Sequence, residues 1–243
     1  MIDNCRFPRD YFYDIENLIW VKFVSEPNST YDVPKEFLIG ITPVYTYIAG
    51  KINGLRVKPI GSLIERNKSI GSIESLVHFG TVRSPIKGEI REINYDAVNN
   101  PKIVNDSPFG NGWIAKIVTS DDHDGIATLK KIEDCEEELM AQIKKHHVKC
   151  FKLYPDFQMF EIGTECSATL AKLDEFMEKS MQKGQVVRLV SDDPTADLEL
   201  LRWAELKEQE IVEIVKERNS AYLESKSSGK SYLFNIIIRK KEK

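Results

Sequence analysis

The chain has 243 residues, 42% hydrophobic and 30% charged, with a formal net charge of −4. This is the composition of a soluble globular protein with material for one large core or two smaller ones, and its acidic balance makes no case for a nucleic-acid partner. No stretch approaches the ~20 apolar residues of a membrane span, and Met1–Arg6 has no apolar run, so no secretion signal is read there and a cytoplasmic protein is expected.

Residues 7–24 alternate aromatic or apolar with polar residues and predict strands, ending in Leu18-Ile19-Trp20-Val21-Lys22-Phe23. Ser25–Pro34 reads as a polar loop, Phe37–Thr42 as a strand, and Ala49–Gly61, punctuated by glycines and Pro59, as short strands and turns. Gly71–Pro85 reads as a β-hairpin feeding Ile86-Lys87-Gly88-Glu89-Ile90. Its tip, Leu76-Val77-His78-Phe79, is apolar where hairpin tips are usually polar, which marks a contact surface for a partner or for another part of the chain. His78 reads as a polar tip residue, and Glu74 and Ser75 as structural residues of the hairpin. Asn99–Gly112 reads as a loop and Trp113–Ile117 as a closing strand. Many short strands at close spacing predict a β-sandwich or barrel.

The character changes at Asp121. Ile126, Leu129, Ile132, Leu139 and Ile143 recur at helical spacing across the charged stretch 125–149, predicting one helix or two short ones covering the sandwich or bridging onward. A domain boundary is expected near 148–155, dividing the chain into 1–150 and 151–243. Beyond it come a strand at Phe157–Ile162, a turn at Gly163–Glu165, and a helix with Leu170, Leu173, Phe176, Met177 and Met181 on one face, stopped by Gly184. Gln185–Val190 predicts a strand, and Asp192-Asp193-Pro194 a helix start with Asp193 as N-cap and Pro194 at the first position. Glu210–Lys216 and Tyr232–Arg239 predict two last strands joined by a polar Ser/Gly loop. The order β-α-β-α-β-β predicts a two-layer α/β domain.

Four cysteines, Cys5, Cys135, Cys150 and Cys166, form no C-x-x-C pair and are expected to be thiols in a reducing compartment. His146-His147-x-x-Cys150 has helical spacing for a metal site, but without further ligands it reads as a solvated helix end, and no metal is expected. Cys166, at a predicted helix N-terminus, is the candidate nucleophile: unpaired N–H groups there favour thiolate over thiol.

The first 150 residues resemble the glycine cleavage system H protein, a lipoyl-domain relative. The resemblance rests on Trp20-Val21, Ile39-Gly40-Ile41-Thr42, Gly71-Ser72-Ile73-Glu74-Ser75, Ser84–Ile90, Asn94, Asn100-Pro101, Val104-Asn105, Ser107–Gly110, Gly112-Trp113-Ile114 and Lys116-Ile117. It implies a lipoyl-type β-sandwich with helices added at its end. The family carries lipoate on a lysine in a Glu-Ser-x-Lys tip; here Glu74-Ser75-Leu76 is followed by Val77, which cannot form the amide, so no cofactor is expected. Residues 151–241 resemble the small sulfur-relay proteins of the TusA type. That resemblance rests on Gly163-Thr164-Glu165-Cys166, with Ser167 and Thr169 in place of the motif's prolines, on Gly184-Gln185-Val186-Val187, Asp192-Asp193-Pro194 and Trp203, and on the last strand. It implies a persulfide-bearing Cys166. Together the resemblances imply an α+β chain of two domains: a sulfur-relay protein with an H-protein-like docking module and protein partners, either sulfur donors and acceptors or lipoate-linked enzymes. A non-catalytic adaptor and an H-type carrier are the alternatives.

Overall fold

Ile19 and Val21 point to one side of a strand and Trp20 to the other, and this alternation organises the first part of the molecule. The structure, a computed structural model, describes residues 4–24, 35–119, 123–218 and 232–241. The loop expected at Ser25–Pro34, the transition at Asp121 and the loop between the last two strands lie outside the described residues. The chain forms two compact units, Met1–Cys150 and Phe151–Lys243.

In the first unit, strands β1 (Phe12–Asp14), β2 (Ile19–Phe23), β3 (Lys35–Ile41), β5 (Leu63–Ile64), β8 (Gly88–Ile93) and β9 (Ala115–Thr119) form one sheet in the order β1-β2-β3-β9-β8-β5. Strands β4 (Ile52–Val57), β6 (Ser69–Ser75) and β7 (Phe79–Arg83) form a second, in the order β4-β6-β7. Ile19, Val21, Phe37, Ile39, Ile41, Ile90 and Ile117 from the first sheet pack against Ile52, Leu55, Ile70, Ile73 and Val82 from the second, which makes the unit a β-sandwich. Each fully buried aliphatic side chain contributes about 1.5–3 kcal/mol of transfer free energy.

The other face of the large sheet is covered as well. Trp20, Leu38 and the N-terminal residues Cys5, Phe7, Tyr11 and Tyr13 build a second, aromatic cluster with Phe109. Helix α5 (Ile132–Lys145) closes it with Ile132, Cys135, Leu139 and Ile143, a 3–4–4 spacing that puts all four on one helical face. A shorter helix, α4 (His123–Ala127), precedes it, so the charged stretch is two helices.

Three short helices fall where strands, turns or loop are expected, or where nothing is predicted. α1 (Pro43–Ala49) starts with Thr42 capping the Tyr45 N–H and Pro43 in the first turn, and ends at Gly50. α2 (Tyr95–Asn99) is capped by Asn94, and α3 (Lys102–Asp106) follows Pro101. Each has five to seven residues, too few for the apolar periodicity that reveals longer helices.

The thiol expectation fails for two cysteines: Cys5 and Cys150 form a disulfide across a sequence separation of 145. Nothing in the local sequence of either position announces the other, because the sandwich and α5 bring them together. Cys135 and Cys166 are free and buried.

In the second unit the elements run β10 (Phe157–Glu161), α6 (Cys166–Ser180), β11 (Val186–Ser191), α7 (Ala196–Leu206), β12 (Glu210–Arg218) and β13 (Tyr232–Arg239). The sheet order is β10-β11-β13-β12, with β10 and β11 parallel. Leu173 and Met177 of α6 and Leu200 and Trp203 of α7 pack on Val187, Leu189, Phe234, Ile236 and Ile238, so both helices lie on one face of the sheet. α6 ends at Ser180, before Gly184, whose φ of 81° turns the chain into β11. No helix among the described residues is long and apolar enough to cross a membrane.

Candidate functional site

The hairpin of β6 and β7 turns through Ser75, Leu76, Val77 and His78, closed by the Ser75 N–H donating to the His78 carbonyl at 2.8 Å. Ser75 organises the turn. Its Oγ accepts from the N–H groups of Val77 (3.1 Å) and His78 (3.0 Å) and donates to the Ala49 carbonyl at 2.6 Å. The tip is thereby tied to the end of α1. The segment after α1 is itself clamped by buried Asn105, whose Nδ2 donates to the Gly50 carbonyl and whose Oδ1 accepts from the Ile52 N–H, both at 2.9 Å.

Two glycines make the approach possible. Gly50 has φ 77°, open to glycine at no steric cost, and a Cβ there would lie 3.2 Å from Val77 Cγ2. A Cβ on Gly80 would collide with His78 Nε2 and the Tyr45 hydroxyl. His78 is not a simple exposed tip residue. Its ring packs edge-on against Tyr45, centroids 5.8 Å apart, and Nε2 is buried without a hydrogen-bond partner among the described residues. Burial also raises the pKa of the Tyr45 hydroxyl, an effect the Arg83 guanidinium partly opposes.

Above this polar base the tip presents Leu76, Val77 and Phe79, respectively 94%, 81% and 71% exposed. The frame is therefore rigid and hydrogen-bonded while the outer surface is apolar, a combination that offers a contact face at little ordering cost. The tip does not fit a lipoyl group: residues 75–79 contain no lysine, and the exposed Leu76 and Val77 present hydrocarbon side chains with no amine.

In the second unit Cys166 is the first residue of α6, but its surroundings differ from the expectation of a stabilised thiolate. Burial pushes the thiol up from 9.0 to about 11, and the carboxylates of Asp193 and Glu199 push it the same way. Behind burial, Asp193 is the larger of the two carboxylate causes, and it opposes the field of the helix N-terminus at the sulfur. Its Oδ2 accepts the Cys166 N–H at 3.0 Å, placing a negative charge where a thiolate would need a positive field. Its Oδ1 accepts from Thr195 N and Oγ1, and α7 begins at Ala196 with Thr195 as the N-cap residue. Pro194 is thus outside the helix, and Asp193 serves two helix entries instead of the one predicted. Asp192 Oδ1 takes the Gly163 N–H at 2.8 Å, fixing the turn ahead of Cys166.

Cys150, His146 and His147 carry structure. Cys150 is in the disulfide. His146 ends α5, its N–H donating to the Gln142 carbonyl, and His147, with φ 49°, donates its N–H to the Lys144 carbonyl. Among the described residues no three His, Cys, Asp or Glu side chains are grouped to hold a metal ion.

A two-sheet sandwich with a projecting, tightly braced hairpin between β6 and β7 is the architecture of a lipoyl-carrier-type domain. The profile of the glycine cleavage H-protein family matches residues 15–142, from the residue after β1 into α5, and the chain belongs to that family. Glycine cleavage system H protein 2 of Aquifex aeolicus (strain VF5) is 32% identical over 147 residues, covering 60% of this chain and 86% of that protein. A probable glycine cleavage system H protein 2 of Sulfurisphaera tokodaii is 35% identical over 118 residues, covering 48% of this chain and 74% of its own length. The crystal structure of a glycine cleavage system H protein from Mycobacterium marinum aligns with a TM-score of 0.45 at 23% identity, over 54% of this chain and 98% of that one.

Proposed function

We propose that the chain works as an H-type docking protein: the first unit presents its hairpin tip to a protein that handles lipoate-bearing H proteins, and makes the contact without a covalent arm. The observation that carries this is the tip, whose bracing by Ser75 and Asn105 is complete while the acceptor position holds an exposed valine. An apolar side chain there contributes contact area where a lysine would contribute chemistry. Partners are accordingly enzymes of the glycine cleavage system or others that accept H-type domains. Two measurements test the reading. Intact mass of the natively purified protein should show no lipoyl adduct. Titration against enzymes of the glycine cleavage system should give binding that Val77→Glu weakens about tenfold, ~1.4 kcal/mol, with thermal stability within about 0.5 kcal/mol of the parent. A lipoylated native protein, or binding indifferent to Val77→Glu, sinks it.

The second reading, a sulfur relay through Cys166, draws support from the element order β-α-β-α-β-β and from the position of Cys166 at the start of α6, outside the carboxyl ends of the parallel pair β10 and β11. Against it stands the thiol's pKa of about 11, which leaves little nucleophilic thiolate at neutral pH. The docking reading is therefore preferred.

A further inference from the structure

We propose that the Cys5–Cys150 disulfide is a redox clasp that holds the N-terminal segment over the aromatic cluster of the first unit and releases it on reduction. Beyond an isolated β-bridge at Cys5, the segment from Cys5 to Tyr11 belongs to no strand or helix of the unit. From Arg6 to Tyr11 it is held by side chains: Phe7 and Tyr11 are buried with Cys5 in the cluster with Trp20 and Phe109, and the Tyr11 hydroxyl donates to the Phe109 carbonyl. The disulfide is its one covalent anchor among the described residues, and it joins the segment to Cys150, the last residue of the unit.

A second observation points to the same place. Tyr11 packs edge-on against Trp20 at 5.0 Å, and the Trp20 indole N–H is buried with no hydrogen-bond partner among the described residues. A buried donor of this kind recovers a partner when water reaches it. Lifting the segment would therefore wet a group that the closed state leaves unsatisfied, which lowers the cost of opening at this site relative to a fully paired core. Residue exposure also orients the chemistry. Cys5 is fully buried, whereas Cys150 is partly exposed, so an incoming thiolate reaches Cys150.

The reductant is a protein dithiol of the thioredoxin class. Its thiolate attacks the Cys150 sulfur, the Cys5–Cys150 bond breaks, and Cys5 leaves as a thiolate that takes up a proton. The reductant's second thiol then attacks the mixed disulfide, releasing the Cys150 thiol. Two electrons and two protons pass to the chain, and the reductant is left as a disulfide.

The test uses the full-length protein purified without reductant, then treated with thioredoxin, thioredoxin reductase and NADPH. Alkylation after denaturation should count the two free thiols of Cys135 and Cys166 before treatment and all four cysteines after it. Tryptic cleavage after Arg6, between the buried Cys5 and Phe7, should accelerate about tenfold on reduction, since cleavage there requires the segment to open. Tryptophan emission should move to longer wavelength as Trp20 is wetted, and both changes should reverse on reoxidation. The Cys5→Ser/Cys150→Ser double variant should cut at the fast rate with or without reductant. Four alkylatable thiols in the untreated protein, equal cleavage rates in the two redox states, or a double variant as resistant as the oxidised parent would overturn the proposal.

Discussion

Replacing Asp193 by Asn tests why Cys166 is held as a thiol. The carboxylate receives the Cys166 N–H and lies among the charges that raise the thiol to about 11, behind burial as the larger cause. Two unit charges about 6 Å apart interact by roughly 0.7 kcal/mol at the dielectric of water and by about 2.8 kcal/mol at an effective dielectric of ~20. Removing the charge should therefore lower the thiol pKa, but by less than half of its rise from 9.0 to about 11, because burial is the larger cause and is unchanged. Asn keeps the shape but offers one acceptor oxygen where Asp193 uses two, so a cap at either Cys166 or Thr195 is lost at a cost of about 1 kcal/mol. The assay is the rate of Cys166 alkylation against pH, read by peptide mass so that Cys135 does not interfere, with thermal unfolding alongside. A pKa in Asp193→Asn equal to or above that of the parent would refute the electrostatic account. A drop well below 9 would show that burial had been overweighted and would strengthen the sulfur-relay reading.

Two further predictions concern the tip. Asn105→Ala removes the partner of two backbone groups next to Gly50 and Ile52, so the first unit should lose about 2–5 kcal/mol in denaturant unfolding, and unchanged stability would show that the clamp is replaced by other contacts. Val77→Lys supplies the missing amine on a tip whose bracing is already complete, so a lipoate ligase supplied with lipoate and ATP should attach lipoate there while leaving the parent unmodified; intact mass reads the result, and an unmodified variant would show that the frame is not recognised.

Much of this molecule can be read along the chain because its information is local. The alternation in Ile19-Trp20-Val21 and Phe37–Ile41 marks strands with two covered faces, the spacing of Ile132, Cys135, Leu139 and Ile143 marks a helix with one buried stripe, and the strand–turn–strand from Gly71 to Pro85 marks the hairpin. The apolar tip is legible for the same reason: Leu76 and Val77 follow Glu74-Ser75 in the sequence, and the fold adds only that they are exposed. The short helices α1, α2 and α3 are harder, since each is set by one cap and tertiary packing rather than by a periodic pattern.

What the tertiary structure alone decided is pairwise and long-range. The sulfur atoms of Cys5 and Cys150 meet across 145 positions, Asn105 reaches the segment under a tip formed 30 residues earlier in the chain, and Asp193 meets Cys166 from the next turn of a parallel βαβ unit. Helix position alone favours a thiolate at Cys166, but the sign of the result depends on which charge the fold sets beside it. Sequence carries the identity of each group, whereas distance and dielectric, which fix the strength of every such interaction, exist only once the chain has closed on itself.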